Sequence, residues 1–266
     1  MDWNRIKTIF IITFLILDVY LLSQFLIKRD TSQYEVRKEA TIEEQLKADE
    51  IEITFDLPKA SIKDQYVSAR PKNFTEKETK SLKNQTVEVN QKTVLLSNLD
   101  KPYQIDTDFE PVSLAGFIAE NVLYGSEYQF WEKDEQEKTI TYFQTYENKF
   151  FYQNINGMLV FHLNDKNQIV SYEQTLLEDI KKYDDSKEEV FKPLEAIEIL
   201  HQRGMLEPKS KITSAELGYS TIVPLASSQV FAPTWRFEVN NEESLYVNAF
   251  EGQVIEFDIG ENEVTE

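Results

Sequence analysis

The chain has 266 residues, no cysteine, seven glycines, and 47 acidic against 28 basic residues, for a formal charge of −19 at pH 7. That balance argues against nucleic acid, whose binding rests on basic contacts to phosphate. The lack of cysteine removes disulfides, thiolate metal sites and thiol nucleophiles. The first thirty residues hold four basic and three acidic residues, so the remainder carries 24 against 44, which disfavours close adhesion to an anionic membrane surface.

Residues 9–27 read IFIITFLILDVYLLSQFLI, with Asp18 as the single charge. At ~1.5 Å per residue a helix of this length covers about the ~30 Å hydrocarbon core of a bilayer, so one transmembrane helix is expected. A cleaved signal peptide has a shorter apolar core and a small-x-small cleavage site. Lys28-Arg29-Asp30-Thr31 follows instead, which favours an uncleaved anchor. Arg5 and Lys7 precede the stretch, but Lys28, Arg29, Arg37 and Lys38 follow it closely, so the positive-inside count leaves orientation open.

The start MDWNRIKTIF, continued by IITFLILDVYLL, resembles the N-terminus of the YycI (WalI) family. The likeness rests on Met1-Asp2-Trp3, Lys7-Thr8-Ile9-Phe10 and Leu17-Asp18. That family comprises membrane-anchored regulators of the YycG (WalK) sensor histidine kinase of low-GC Gram-positive bacteria. The resemblance implies a cytoplasmic tail at residues 1–8, a transmembrane helix at 9–27 and an extracytoplasmic body. It also implies a YycH (WalH)-like partner and a link to cell-wall homeostasis.

Residues 28–40 lack an apolar period and read as a stalk. Thr41 and Glu44 have the form of a capping box for a short helix. Ile51, Ile53 and Phe55 alternate as a strand, a short helix can start after Asn73 or Thr75, and two strands flank Asn90-Gln91. Residues 101–108 read as a polar connection. In 111–124 the residues Leu114, Phe117, Ile118 and Val122 make one helical stripe that Gly125 ends. From Tyr128 to Tyr172, aromatic-rich strands separated by turn formers predict an antiparallel meander.

Residues 179–189 read as a charged break. A helix follows at 193–203, between Pro193 and Gly204, then strands at 211–219, 221–225, 234–239, 245–250 and 253–259. The hairpin LYVNAFEGQVIEF echoes LVFHLNDKNQIVSY. The fold class expected is therefore α+β: the transmembrane helix, then two related helix-plus-antiparallel-sheet modules at residues 41–184 and 185–266.

Catalytic signatures are missing. The only histidines, His162 and His201, read as surface or edge residues, and there is no HExxH, GxSxG, Gly-rich phosphate loop or EF-hand pattern. With so many acidic residues, no single carboxylate pair marks a glycosidase site. No enzyme, metal or cofactor is expected.

The sharper candidates are contacts. On a helical wheel Thr13, Tyr20 and Gln24 fall within about 40° of one another. Asp18 lies nearly opposite with Phe14, so the helix presents two distinct polar features, and these residues are expected to contact the membrane helices of partners. Tyr142, Tyr146, Phe150 and Tyr152 are candidates for an extracytoplasmic interface if they sit on an exposed sheet face, and core residues otherwise. The function expected is a non-enzymatic membrane subunit that modulates a sensor kinase. The alternative is a membrane-tethered binding module for a wall component or peptide that acts without a kinase.

Overall fold

A computed structural model describes Lys7 and residues 13–15, 17–22, 41–58, 60–106, 108–183, 187–224 and 228–257. The chain divides into two compact units, residues 1–48 and 49–266. In the first, residues 13–15 and 17–22 are helical. No helix among the described residues is long and apolar enough to cross a membrane. The rest of the 9–27 stretch lies outside the described residues, and the expected single span is not confirmed. The Ile42–Ala48 helix begins with the capping box read from the sequence: the Thr41 N–H donates to Glu44 Oε2 at 3.2 Å and the Glu44 N–H to Thr41 Oγ1 at 3.4 Å.

The second unit is a sheet-rich α+β structure with few helices. Its strands are β1 (Glu52–Ile53), β2 (Lys63–Asp64), β3 (Val67–Pro71), β4 (Gln85–Asn90), β5 (Val94–Gln104), β6 (Tyr128–Asp134), β7 (Thr139–Tyr146) and β8 (Lys149–Phe150). They continue with β9 (Met158–Leu163), β10 (Gln168–Gln174), β11 (Leu177–Lys182), β12 (Glu188–Glu189), β13 (Lys211–Pro224), β14 (Gln229–Val239), β15 (Glu243–Asn248) and β16 (Val254–Ile255). One sheet has the order β4-β5-β10-β9-β7-β6, with β8 on β7. The other runs β1-β13-β14-β15-β16, with β3 also on β14 and β11 on β3, while β2 and β12 form a separate pair.

The meander expected from residue 128 onward is therefore present. Leu159, Phe161 and Leu163 alternate inward along β9, joined by Leu95, Ile140, Ile169 and Tyr172. Leu114, Phe117, Ile118 and Val122, the stripe read from the sequence, belong to the same buried cluster. Several of the remaining expectations need correction. Residues 101–104 are the end of β5, and residues 177–182 form β11 rather than a break. Leu177 is buried and Ile180 packs against a second core of Val67, Ala69, Phe151, Tyr219 and Phe231, while the charges of β11 stay outward, as suits an edge strand. Residues 211–219 and 221–225 are not separate strands, since β13 is continuous to Pro224 with a register shift between Thr221 and Val223.

Two successive, related modules are not confirmed, because the sheets interleave along the chain. Strands β1, β3 and β11 all precede residue 184, yet they pair within the sheet built by β13–β16. The Pro193–Gln202 helix keeps its predicted form, burying Pro193, Ala196, Ile197 and Leu200 at helical spacing. It closes at Gly204, whose φ of 70° takes the left-handed C-terminal conformation.

The two sheets are stitched together at residues 144–152. Phe151 bridges to Tyr219 of β13, and the Tyr152 N–H donates to the Tyr219 carbonyl at 2.8 Å. Gln144 is fully buried; its Nε2 donates to the Leu177 carbonyl at 2.9 Å and its Oε1 accepts the Leu177 N–H at 2.7 Å. Close by, the buried Asp64 accepts from Lys149 at 2.6 Å and from the Tyr219 hydroxyl at 3.0 Å. The Tyr152 ring lies on Gly218, where any Cβ would overlap the ring and stand 2.8 Å from the Phe150 carbonyl.

Gly218→Ala should therefore lower stability by ~1–3 kcal/mol, the usual cost of overpacking. Gly116 sits in the helix that follows Leu114 with nothing within 4 Å of an added Cβ, so Gly116→Ala should raise stability by ~0.5–1 kcal/mol. Urea midpoints at constant m-value check both signs.

Candidate functional site

An open cavity of about 640 Å³ lies beside the first core. Its wall starts with a 3-10 turn, Pro111–Leu114, with Pro111 at the first position, and continues into the Ala115–Asn121 helix. Leu114, Phe117 and Ile118 point into the core, which leaves the small Ala115 and Ala119 exposed at the cavity wall. The chain then turns back under this helix. An added Cβ at Gly125 would stand 2.6 Å from Ile118 Cγ2 and 2.7 Å from its carbonyl oxygen, so only glycine lets it pass. Gly125 was expected to end the helix, yet the left-handed residue is Tyr124 (φ 54°) and the glycine serves close approach.

Tyr128, Phe130 and Tyr142 complete the floor. The Tyr128 hydroxyl donates to the Thr175 carbonyl and accepts from Gln174 Nε2 at 3.2 Å, and burial pushes its pKa up. Tyr142 packs edge-on against Phe130 and Phe161, and burial raises its pKa to about 12. Its hydroxyl is buried with no hydrogen-bond partner. Leaving such a group unsatisfied costs ~1–3 kcal/mol.

On the rim, Tyr124 donates to Glu78 Oε1 at 2.7 Å, and Lys72 lies 3.1 Å from Glu78 and 3.2 Å from Glu178. Glu78 is placed by the Glu76–Thr79 helix, whose N-cap Thr75 forms a capping box with it. Hydrogen bonds from Thr75 and Tyr124, with Lys72 adding to them, hold the Glu78 carboxyl down to about 2 against the opposing effect of burial. Burial pulls Lys72 down, but its hydrogen bonds to Glu78 and Glu178 outweigh that and leave it raised.

The aromatic residues singled out from the sequence lie elsewhere and mostly inside. Tyr142 and Tyr152 are 4% and 1% exposed, so neither side chain is a surface anchor. Tyr146 and Phe150 are half-buried. Phe150 and Tyr152 join Trp131, with ring centroids 5.4 and 6.0 Å away, and the Arg236 guanidinium stacks 4.3 Å above Trp131. Tyr152 continues to Tyr246 at 5.3 Å, so this group belongs to the seam between the sheets. Of the N-terminal candidates, Thr13, Phe14, Asp18 and Tyr20 are exposed on the described helical residues, and Gln24 lies outside them.

His162 is half-buried in β9, and His201 Nε2 lies 2.7 Å from Asp49 Oδ2. Among the described residues no group of three or more His, Cys, Asp or Glu side chains is arranged to hold a metal. The cavity was missed at the sequence level because its wall is read as a core stripe. The small-residue pair Ala115 and Ala119, four apart along the flank of that stripe, was the available signal.

Residues 31–250 match the family described as YycI protein. The chain belongs to the YycI family. The match starts beyond the N-terminal residues that first resembled it, so the body carries the family signal by itself. YycI is a regulatory family of the YycG (WalK) two-component system, and its members are membrane-associated. No curated protein matches the chain.

Solved structures with a similar course include an uncharacterized protein from Eubacterium rectale (10% identity, 79% of this chain and 91% of that one, TM-score 0.44). The C-terminal domain of YpeB from Bacillus megaterium is 10% identical over 71% of this chain and 88% of its own, with a TM-score of 0.37. YycH from Bacillus subtilis is 13% identical over 74% of this chain and 54% of its own, at 0.40. At these TM-scores the likenesses carry no functional weight.

The Glu78 cluster gives this YycI-family body an acid-sensitive element. A carboxyl whose folded pKa is depressed contributes stability above its unfolded value, ~4.3, and loses it as pH falls toward about 2. Glu78→Gln should flatten the decline in denaturation midpoint between pH 5 and pH 2, and Tyr124→Phe should flatten it partly. Urea titrations across that range measure it, and identical slopes in all three proteins would contradict the assignment.

Proposed function

We propose that this YycI-family chain is a single-pass, non-enzymatic membrane subunit, with residues 1–8 in the cytoplasm and the body from residue 41 outside. With a YycH-like partner it modulates a YycG (WalK)-type sensor kinase through membrane and extracytoplasmic contacts. The observation that carries this reading is the family match over residues 31–250. The nineteen-residue apolar stretch with one charge supports the anchor. Where that stretch is described, Phe14, Leu15, Leu17, Val19, Tyr20, Leu21 and Leu22 are 46–60% exposed, the character of a lipid-facing or partner-facing helix.

The mechanism is a population shift. A subunit that contacts two kinase conformations unequally changes their ratio, and one that contacts them equally changes nothing. Asp18 is the natural place for such a contact, since an ionised carboxylate at mid-membrane costs ~2.5–3.5 kcal/mol unless it is paired, protonated or wetted. Phe14 shares its side of the helix, and Thr13, Tyr20 and Gln24 form a second expected contact on the nearly opposite side.

The test is crosslinking and co-purification of the full chain from its native membrane. A hydrogen bond between membrane helices is worth ~0.6–2 kcal/mol. Asp18→Leu should therefore reduce recovered kinase by about threefold to thirtyfold. Replacement of residues 9–27 by an unrelated span should abolish recovery. Full recovery with the unrelated span would overturn the membrane contact, and no kinase with the native chain would overturn the kinase reading itself.

A further inference from the structure

We propose that the cavity beneath Ala115 and Ala119 is a docking site for a partner protein, filled by an apolar side chain on a peptide segment flanked by basic residues. The inference goes beyond the kinase reading and does not depend on which protein supplies the segment.

Size and chemistry come first. At about 640 Å³ the cavity lies within the ~300–1,000 Å³ typical of ligand pockets. Its lining contains no charged residue: alanine, proline, isoleucine, valine and aromatic side chains dominate, with Ser126 and Gln129 as the polar additions. The apolar character continues outward, because Val112, next to Pro111, is 72% exposed and Tyr124 is 42% exposed. An exposed apolar rim around an apolar recess is the arrangement in which a buried anchor residue dominates binding.

Charge then selects the occupant. Asp106, Asp108 and Glu110 are exposed immediately ahead of Pro111, and Glu120 is exposed immediately after Ala119. Two nearby lysines are already engaged, Lys72 by Glu78 and Glu178, and Lys133 by Glu135 at 3.0 Å. An anionic headgroup or fatty-acid carboxylate meets carboxylates at this rim, whereas lysine or arginine flanks meet complementary charge. Such complementarity speeds encounter and chooses partners, and the apolar anchor supplies the affinity.

The experiment uses the full chain in zwitterionic nanodiscs and fluorescein-labelled peptides read by anisotropy. The probes carry a Leu-Phe-Leu centre with lysine flanks, the same centre with glutamate flanks, and a Ser-Ser-Ser centre with lysine flanks. The first should bind at least tenfold more tightly than either of the others. Ala119→Trp, at an exposed helix position, should weaken the first probe at least tenfold and leave the serine probe unchanged. Equal affinity of the two lysine-flanked probes would overturn the proposal, because only the acidic surface would then be sensed. It would also be overturned if Ala119→Trp left the first probe unaffected, or if that variant blocked a dansyl fatty acid and not the peptide, which would make the cavity a lipid site.

Discussion

The body depends on one close approach, the Tyr152 ring lying on Gly218 with no room for a side chain between them. Residues 150–152 leave the edge of the meander and run onto β13, and the Phe151–Tyr219 bridge fixes their register. Phe151 is then fully buried among Val67, Ala69, Leu177 and Phe231, in the core of the other sheet. Burying aromatic surface of this size is worth several kcal/mol at ~25 cal/mol per Å², so parting the sheets would forfeit a large share of a typical domain's net stability.

Buried polar groups reinforce the same seam because they have partners on both sides of it. Gln144 closes a two-bond exchange with Leu177 and also donates to Glu127 at 2.8 Å, tying β7 to the start of β11. Asp64 is held by Lys149, by the Tyr219 hydroxyl and by the Gln65 N–H at 2.9 Å. Removing one partner of such a buried charge costs far more than the pair contributes in net terms. These groups define one geometry more than they add raw stability, which explains why an otherwise acidic, glycine-poor chain keeps two sheets in fixed register.

Local rules made much of this legible in advance. The Thr41 capping box, the Leu114 stripe, the hairpin turns between β6 and β10, and the Pro-to-Gly limits of the 193–202 helix all depend on residues within a few positions of one another. What was missed depends on partners far along the chain. Strand β11 reads as a charged break because its lysines and acids outnumber Leu177 and Ile180; only pairing with β3, more than a hundred residues earlier, makes it a strand. Tyr152 looked like an interface residue for the same reason: its ring is buried by Gly218, 66 positions away in sequence. The cavity escaped because a helical stripe announces the face that is filled and is silent on the face that is left open.

Energetics also decide how the proposed membrane and body contacts must share the work. A membrane hydrogen bond at Asp18, at ~0.6–2 kcal/mol, can shift a two-state kinase ratio by about threefold to thirtyfold, and only if it forms in one state alone. Driving such an equilibrium from about 1:99 to 99:1 takes ~5.5 kcal/mol of differential contact. The anchor therefore suffices for modulation and falls short of a switch. The missing few kcal/mol are the scale of one well-buried anchor side chain, the kind of contact that the cavity beneath Ala119 can supply and that the stitched seam cannot, because its aromatic residues are already spent inside.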